Sequence, residues 1–421
     1  MPKSIDNAIS FDTSLRPGSL SSKRLCKSFI KLIEEAEKNH QLRNRRRREK
    51  DQIAFEDIVS CIFANLCLSA IGNSNRPIRI SRSHGRISPK SRYNSSVLGK
   101  TFPKIIDELA NPRVGILTQK IADPSETFAT RQSTIKETQK FRKLVREAGL
   151  KAGDFRPEAS SELILLKAKK TRPDSTAGLV EYKNTEKTNR MRSEMFEIND
   201  WLMGLEIELT GSLEGSHNVN NRQLKRHFTR ADHTFGSGGR LFGGFWMGLS
   251  KKERERGLTL SGQPVCTLDI SNLNPSLLYA IAEVERPDDD AYALPGLEQS
   301  RDGVKNIFNA MTFRDTPLKR FPSGTRTKFP RHVSIQDVLR EIEHKHQKIF
   351  HLLNSQIGHQ LQNKESNLMV DVLLNAKAEE IPALPVHDAI IIPDDKTEHG
   401  IRIIKKCFFA HTGYEAEIKK E

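Results

Sequence analysis

Residues 263–282 read QPVCTLDISNLNPSLLYAIA, and residues 381–395 read IPALPVHDAIIIPDD. In the first, PVCTL has strand character and NPSLLYAIA reads as a helix, with Asn274 as N-cap and Pro275 at the first helical position. Asp269 is therefore expected at the carboxyl end of a strand, at the rim of a sheet, where a carboxylate can meet a metal ion without being buried alone. In the second stretch, two apolar runs flank one polar pair, His387-Asp388. That is the pattern of a β-hairpin whose tight turn presents an aspartate. Taken singly, Asp269 could be a capping residue and Asp388 an ordinary turn residue.

Between them lies SRDGVKNIFNAMTF, residues 300–313. Arg301, Lys305, Phe308, Asn309 and Phe313 recur at a spacing that puts several of them on one side of a helix. Such a face can pair with triphosphate oxygens while an aromatic edge meets a base, although an amphipathic helix with solvated cations has the same periodicity. Upstream, residues 235–249 read FGSGGRLFGGFWMGL, in which Arg240 sits among glycines and aromatics. Glycines there permit positive φ and close backbone approach to a ligand. Arginine and aromatics could hold a phosphate and a stacked base, or belong to an ordinary hairpin. Two strand-end carboxylates with a lysine-bearing helix between them are the parts that two-metal phosphoryl transfer needs. Two Mg²⁺ or Mn²⁺ ions on Asp269 and Asp388 would bridge a 3′-hydroxyl and a leaving pyrophosphate, with Lys305 and Arg301 neutralising the triphosphate.

The composition agrees with a polyanionic partner. The 421 residues carry 68 Lys and Arg against 53 Asp and Glu, a formal charge of +15; phosphates are the usual counterpart of such an excess. Six of residues 43–50 are Lys or Arg, and residues 76–104 hold eight Lys or Arg and no acid. Arg76, Arg79, Arg82, Arg86, Lys90 and Arg92 of that segment are candidate nucleic-acid contacts. The five cysteines form no CxxC pair, which argues against a structural zinc site and for reduced, buried thiols. No apolar run of membrane-spanning length and no signal peptide is read, so a cytoplasmic protein with no membrane partner is expected.

Residues 1–20 read as a loose tail, and a helix is expected from Ser22 to about Gln52. Residues 55–69 predict a second, buried helix. The basic segment, a further helix pattern (residues 95–110) and a strand–turn–strand candidate (residues 114–137) follow. Helix, basic segment, helix and hairpin in that order suit a winged-helix domain. Residues 150–180 read as a linker with one short apolar element, ELILLK. A helix near Thr185 offers Met191, Met195, Ile198, Leu202 and Leu205 to a core. The expected organisation is α+β: a basic helical segment (1–54), a winged-helix-like nucleic-acid-binding domain (55–149), a linker and thumb-like helical segment (150–220), and a palm of antiparallel sheet and helices with small fingers (221–421).

The motifs resemble those of single-subunit polymerases, the phage-type RNA polymerases and family A DNA polymerases. Asp269 in LDISNLNPSLLY is similar to their first palm motif. Arg301, Lys305 and Phe313 match the Arg-x3-Lys-x7-Tyr-Gly fingers helix, and His387-Asp388 matches the third motif. GGRLFGGFW resembles the Gly-Arg-x-Tyr element of the phage-type enzymes, with Arg240 and Phe242 in place. LQNKESNLMVDVLL is similar to the glutamine-bearing helix of family A enzymes, which implies that Gln362 touches template or primer. The order also resembles a group of bacterial proteins that join a winged-helix-like segment to such a palm. The resemblance implies a template-directed, metal-dependent nucleotidyltransferase acting on nucleic acid and nucleoside triphosphates. In it Asp269, Asp388 and Lys305 are catalytic, Arg301, Phe313, Arg240 and Asn309 bind nucleotide, and His387 and Gln362 bind nucleic acid. Phe313-Arg314 replaces the usual tyrosine-glycine, which leaves sugar choice open, and DxxxLxPS (residues 269–276) also resembles family B polymerases. Only 36 residues separate Asp269 from Lys305, so the fingers must be small. The competing expectation is a non-enzymatic DNA-binding replication initiator or regulator with a degenerate palm. A metal-dependent nuclease would use the carboxylates but not the Lys305 helix.

Overall fold

A computed structural model describes residues 8–39, 41, 43, 45–72, 76–82, 91–93, 95–123, 133–158, 162–169, 177–213, 217, 219, 221–229 and 234–421. In chain order the first elements are β1 (Ile9–Ser10), β2 (Leu15–Pro17), α1 (Leu20–Asn39), α2 (Glu49–Ile71), β3 (Ile78–Ile80), α3 (Phe102–Ala110), β4 (Leu117–Lys120), β5 (Ser133–Glu137), α4 (Gln139–Glu147) and β6 (Phe155–Pro157). Next come β7 (Ile164–Leu166), α5 (Glu186–Gly204), β8 (Ile207–Leu209), β9 (Leu224–Phe228), β10 (Gly238–Gly243), α6 (Lys251–Gly257) and β11 (Leu258–Leu260). The last are β12 (Gln263–Ile270), α7 (Leu273–Ala282), α8 (Arg301–Thr312), α9 (Ile335–Lys345), α10 (Gly358–Ala378), β13 (Leu384–Val386), β14 (Ala389–Pro393), α11 (Thr397–Thr412) and β15 (Ile418–Lys420). Among the described residues the chain is thus mixed α and β, with eleven α-helices and several small sheets. It divides into two compact units, neither of them one continuous stretch. One holds residues 1–163, 189–224 and 243–262; the other holds residues 164–188, 225–242 and 263–421.

The first unit is built on α2. From Phe55 to Leu68 its apolar side chains bury all round the helix, as a helix without a polar face must. Phe63 meets Phe29 of α1 at 5.3 Å, Phe141 of α4 at 6.0 Å and Phe155 of β6 at 6.3 Å between ring centroids. The sequence reading found no apolar run of membrane-spanning length, and α2 corrects it. The helix is long and apolar enough by composition, but 67% of its apolar window is buried inside the fold, where it serves as a core helix. Strands β1, β3, β5 and β4 pair in that order, with β3–β5 and β5–β4 antiparallel.

Three further expectations are corrected here. Part of the supposed loose tail forms β1, parallel to β3, and β2, antiparallel to β6. The helix expected to reach Gln52 stops at Asn39, and the arginine run leads instead into α2. It has almost no apolar residue to hold a helix face down. Arg47 turns inward, pairing with both carboxylate oxygens of buried Glu37 and lying 3.4 Å above the Phe55 ring. In α5, Met191, Met195, Ile198 and Leu202 are buried as expected, while Leu205 beyond its end is half-buried.

In the second unit, β13, β14, β12 and β15 pair in that order, all antiparallel. Strand β14 is buried along its whole length, which explains its unbroken Ile390-Ile391-Ile392 run. Helix α11 packs on this sheet so closely that a Cβ on Gly400 would come within 2.8 Å of Leu268. The ELILLK segment supplies β7, which pairs in parallel with β9. Helix α7 begins at Leu273, one residue before the expected cap. Asn272 precedes it in the left-handed region at φ 53°, without a side-chain cap.

Candidate active site

The sheet register brings the chosen residues together. Lys419 of β15 faces Asp269 of β12, Asp269 faces Ala389 of β14, and Ala389 faces Val386 of β13. Residues directly opposite one another in antiparallel strands share a face. Asp388 immediately precedes Ala389, in the two-residue turn that closes β13 on β14. The first turn residue, His387, is exposed and holds φ 56°, a conformation glycine usually takes in such turns.

Among the described residues, Asp269 and Asp388 accept no hydrogen bond and form no ion pair with their side chains. Asp269 is half-buried, and its carboxyl is pushed up to about 6. Burial is the largest cause, and the charge of Asp388 comes next; Lys305 and Lys419 pull the other way. Asp269 therefore feels the charges of both Asp388 and Lys305. Lys305 itself is exposed on α8. Its helix is seated by Gly303, where a Cβ would run into the Phe329 ring.

The rest of the expected α8 face splits. Arg301, one turn before Lys305, is held by Asp290, with one contact at 3.1 Å, and lies over the Tyr292 ring. Phe308 is fully buried between Tyr292 and His346, so it belongs to the core and not to the face of Lys305. Asn309 and Phe313 instead line a cavity of about 210 Å³ together with Arg240, Asn274, Leu361 and Gln362. The Asn274 amide donates to Asn309 Oδ1 at 3.0 Å, so the residue expected to cap α7 is used across the cavity. Phe313 is 42% exposed and packs against Gly358, where a Cβ would approach its ring to 2.7 Å.

Arg240 is committed to a partner that sequence reasoning missed. Its guanidinium donates to both oxygens of Glu365, at 2.8 and 2.7 Å. Glu365 is 2% exposed on α10, and burial raises its pKa, Arg240 lowers it and the charge of Asp388 raises it. Lys419 is the other missed residue; a lysine in a charged terminal segment carries no signal until the register is known. Gly239 takes φ 95°, and a Cβ there would sit 2.8 Å from the Phe228 ring; its carbonyl accepts from Arg226 and Ser366.

The basic segment lies in the first unit. Arg82 donates to both oxygens of Asp107 at 2.9 Å and to Gln119 at 3.0 Å, and Arg92 pairs with Glu162 at 3.3 Å. Arg79 lies in β3, and burial lowers the pKa of Arg76. Arg86 and Lys90 fall outside the described residues.

No protein-family model matches the chain, and no curated protein matches it. Among solved structures, it is similar to the POL domain of Pol1 from M. smegmatis, determined in complex with DNA primer-template and dNTP. The identity is 10% and the TM-score 0.29, over 99% of this chain and 67% of that one. A likeness so distant carries no argument about chemistry. Among the described residues, no group of three or more His, Cys, Asp or Glu side chains is arranged to hold a metal ion. A cation at Asp269 and Asp388 would have two protein carboxylates and would need its other oxygens from elsewhere.

Proposed function

We propose that the chain is a template-directed, metal-dependent nucleotidyltransferase, with Asp269 and Asp388 as the carboxylates that hold two Mg²⁺ or Mn²⁺ ions. The reading rests on one observation above others: two carboxylates without side-chain partners among the described residues, one at a strand end and one in the adjoining hairpin turn, with Lys305 acting on the charge of Asp269. The donor set fits a hard divalent cation, since Mg²⁺ commonly takes one or two carboxylates and completes its shell with phosphate and water. Bound there, the ions would supply charge stabilisation for phosphoryl transfer. Lys305 neutralises the triphosphate from exposed α8. Arg240, fixed by Glu365, lines the nucleotide cavity beside Asn309 and Phe313, with Gln362 reaching template or primer. Phe313 offers a ring without a hydroxyl, so sugar discrimination must come from shape. Arg301 acts through its pairing with Asp290, orienting the start of α8.

The first unit is proposed as the nucleic-acid-binding half. The order β3–β5–β4, with α2 before it and α3 between β3 and β4, supports a winged-helix reading. That same arrangement supports the second reading, a DNA-binding initiator or regulator without catalysis. Incorporation of labelled ribo- and deoxyribonucleotides on primed and unprimed templates, with Mg²⁺ or Mn²⁺, separates the two. Catalysis requires incorporation by the native chain and its loss in the Asp269→Ala, Asp388→Ala double variant. Salt-sensitive duplex binding that ignores both aspartates, without incorporation, leaves the second reading standing.

A further inference from the structure

Strands β10, β9 and β7 form a second small sheet, whose side chains alternate between two faces. One face is closed: Ile164, Leu166, Arg226, Phe228 and Leu241 are buried. The other carries Leu165, Lys167, Lys225, His227 and Phe242, and none of these is buried. Phe242 is 40% exposed, a large apolar area for a solvent-facing strand position. Its ring lies 4.7 Å from the His227 ring at an interplanar angle of 33°, so the two overlap in a tilted stack.

Cations border this surface. Lys167 Nζ sits 3.0 Å from His227 Nδ1. An ammonium only donates, so Nδ1 accepts and carries no proton. Burial first, and the charges of Lys167 and Lys225 next, hold the imidazole down to about 4. At neutral pH the face therefore presents an uncharged aromatic stack beside two ammonium groups. Arg240 adds nothing to it, since Glu365 neutralises that guanidinium.

We propose that this face is a platform for a single-stranded nucleic acid, with a base stacking on Phe242, which His227 backs, and phosphates pairing with Lys167 and Lys225. A flat exposed ring on a sheet face recognises bases that have left a stack, which a duplex does not offer. Flanking ammonium groups suit a phosphate chain better than an apolar peptide. The inference rests on the reading above only for the class of partner. None of its residues belongs to the carboxylate pair, so each can fail without the other.

The test is fluorescence anisotropy of the full chain with a labelled oligothymidylate and the matching oligouridylate, in EDTA, with a duplex of equal length as competitor. The native chain and Asp269→Asn are expected to bind the single strand alike and to prefer it to the duplex. Phe242→Ala is expected to weaken binding about tenfold or more, the loss of one stacked base. Lys225→Gln should lower the slope of log affinity against log salt by about one. Phe242→Trp keeps a ring and reports on it directly, its fluorescence being quenched by the bound oligonucleotide. Should Phe242→Ala fail to fold, that quenching decides. Native-strength binding by folded Phe242→Ala, preference for duplex, absence of quenching or no binding by the native chain would each overturn the proposal. Incorporation activity, measured on the same preparation, judges the carboxylate site separately.

Discussion

Four arginines of the first unit meet carboxylates, whereas the two central aspartates of the second meet no side-chain partner among the described residues. Arg16 meets Asp57 and Glu158, Arg47 meets Glu37, Arg82 meets Asp107, and Arg142 meets Glu137, whose side chain is fully buried. Asp269, at the end of β12, instead feels the charge of Asp388 in the neighbouring turn, with Glu421 adding to it and Lys305 and Lys419 opposing it. A paired charge is consumed by the fold. Two like charges held together without a partner cost stability, and the cost is recovered only when a cation arrives. The contrast separates residues that build the protein from residues that await a ligand.

The largest expected effect comes from the site itself. Asp269→Ala with Asp388→Ala should lower nucleotide incorporation by about three orders of magnitude or more, because removing the ions' ligands forfeits several kcal/mol of transition-state stabilisation. Steady-state incorporation kinetics check this, with circular dichroism to show that the variant folds. A paired charge should behave in the opposite way. Arg47→Ala leaves Glu37 buried without its cation, and it should destabilise the first unit by about 3 kcal/mol in urea denaturation. Glu108 adds to that loss, since burial and the charge of Glu37 already push its carboxyl up to about 7. Incorporation per folded molecule should be unchanged at a stationary temperature.

Much of the second unit was legible because its signals are local. Two apolar runs around His387-Asp388 can hardly form anything but a hairpin, and PVCTLD ends as a strand because NPSLLY starts as a helix. The left-handed conformation of His387 and the φ of Asn272 have no sequence signature, since both residue types are common elsewhere. Glu365 was invisible for another reason. An acid within an amphipathic helix usually faces water, and only the fold puts it opposite Arg240. Periodicity also cannot tell Phe308, which packs inward, from Phe313, which lines the cavity. In the first unit, strands of two or three residues such as β1 and β2 are too short to show alternation. The arginine run looked like a solvated helix face because nothing in it says that Arg47 turns inward.

A smaller effect concerns stability without metal. The folded pKa of Asp269, about 6, lies above its ordinary 3.8, so the folded chain holds the proton more tightly than the unfolded one. Stability from this group is present below pH 4 and is lost as pH rises towards 6. Asp269→Asn should remove that loss. At pH 7 without metal it should raise Tm by about 2–4 °C, roughly 1 kcal/mol after allowing for the group's partial exposure. Calorimetry at pH 4 and pH 7 measures it, and the difference between native and variant should vanish at the lower pH. The smallest expected change is at the turn. His387→Gly relieves a left-handed backbone and should shift stability by no more than about 1 kcal/mol, measured by urea denaturation.

The most direct measurement is the titration of the Asp269 carboxyl by ¹³C NMR, with and without saturating Mg²⁺. Without metal it should titrate near 6. Asp388→Asn should bring it down by removing a like charge, and Mg²⁺ on the native chain should bring it below the ordinary carboxylate range. A carboxyl that titrates at the same pH in all three samples would contradict a shared cation site at Asp269 and Asp388.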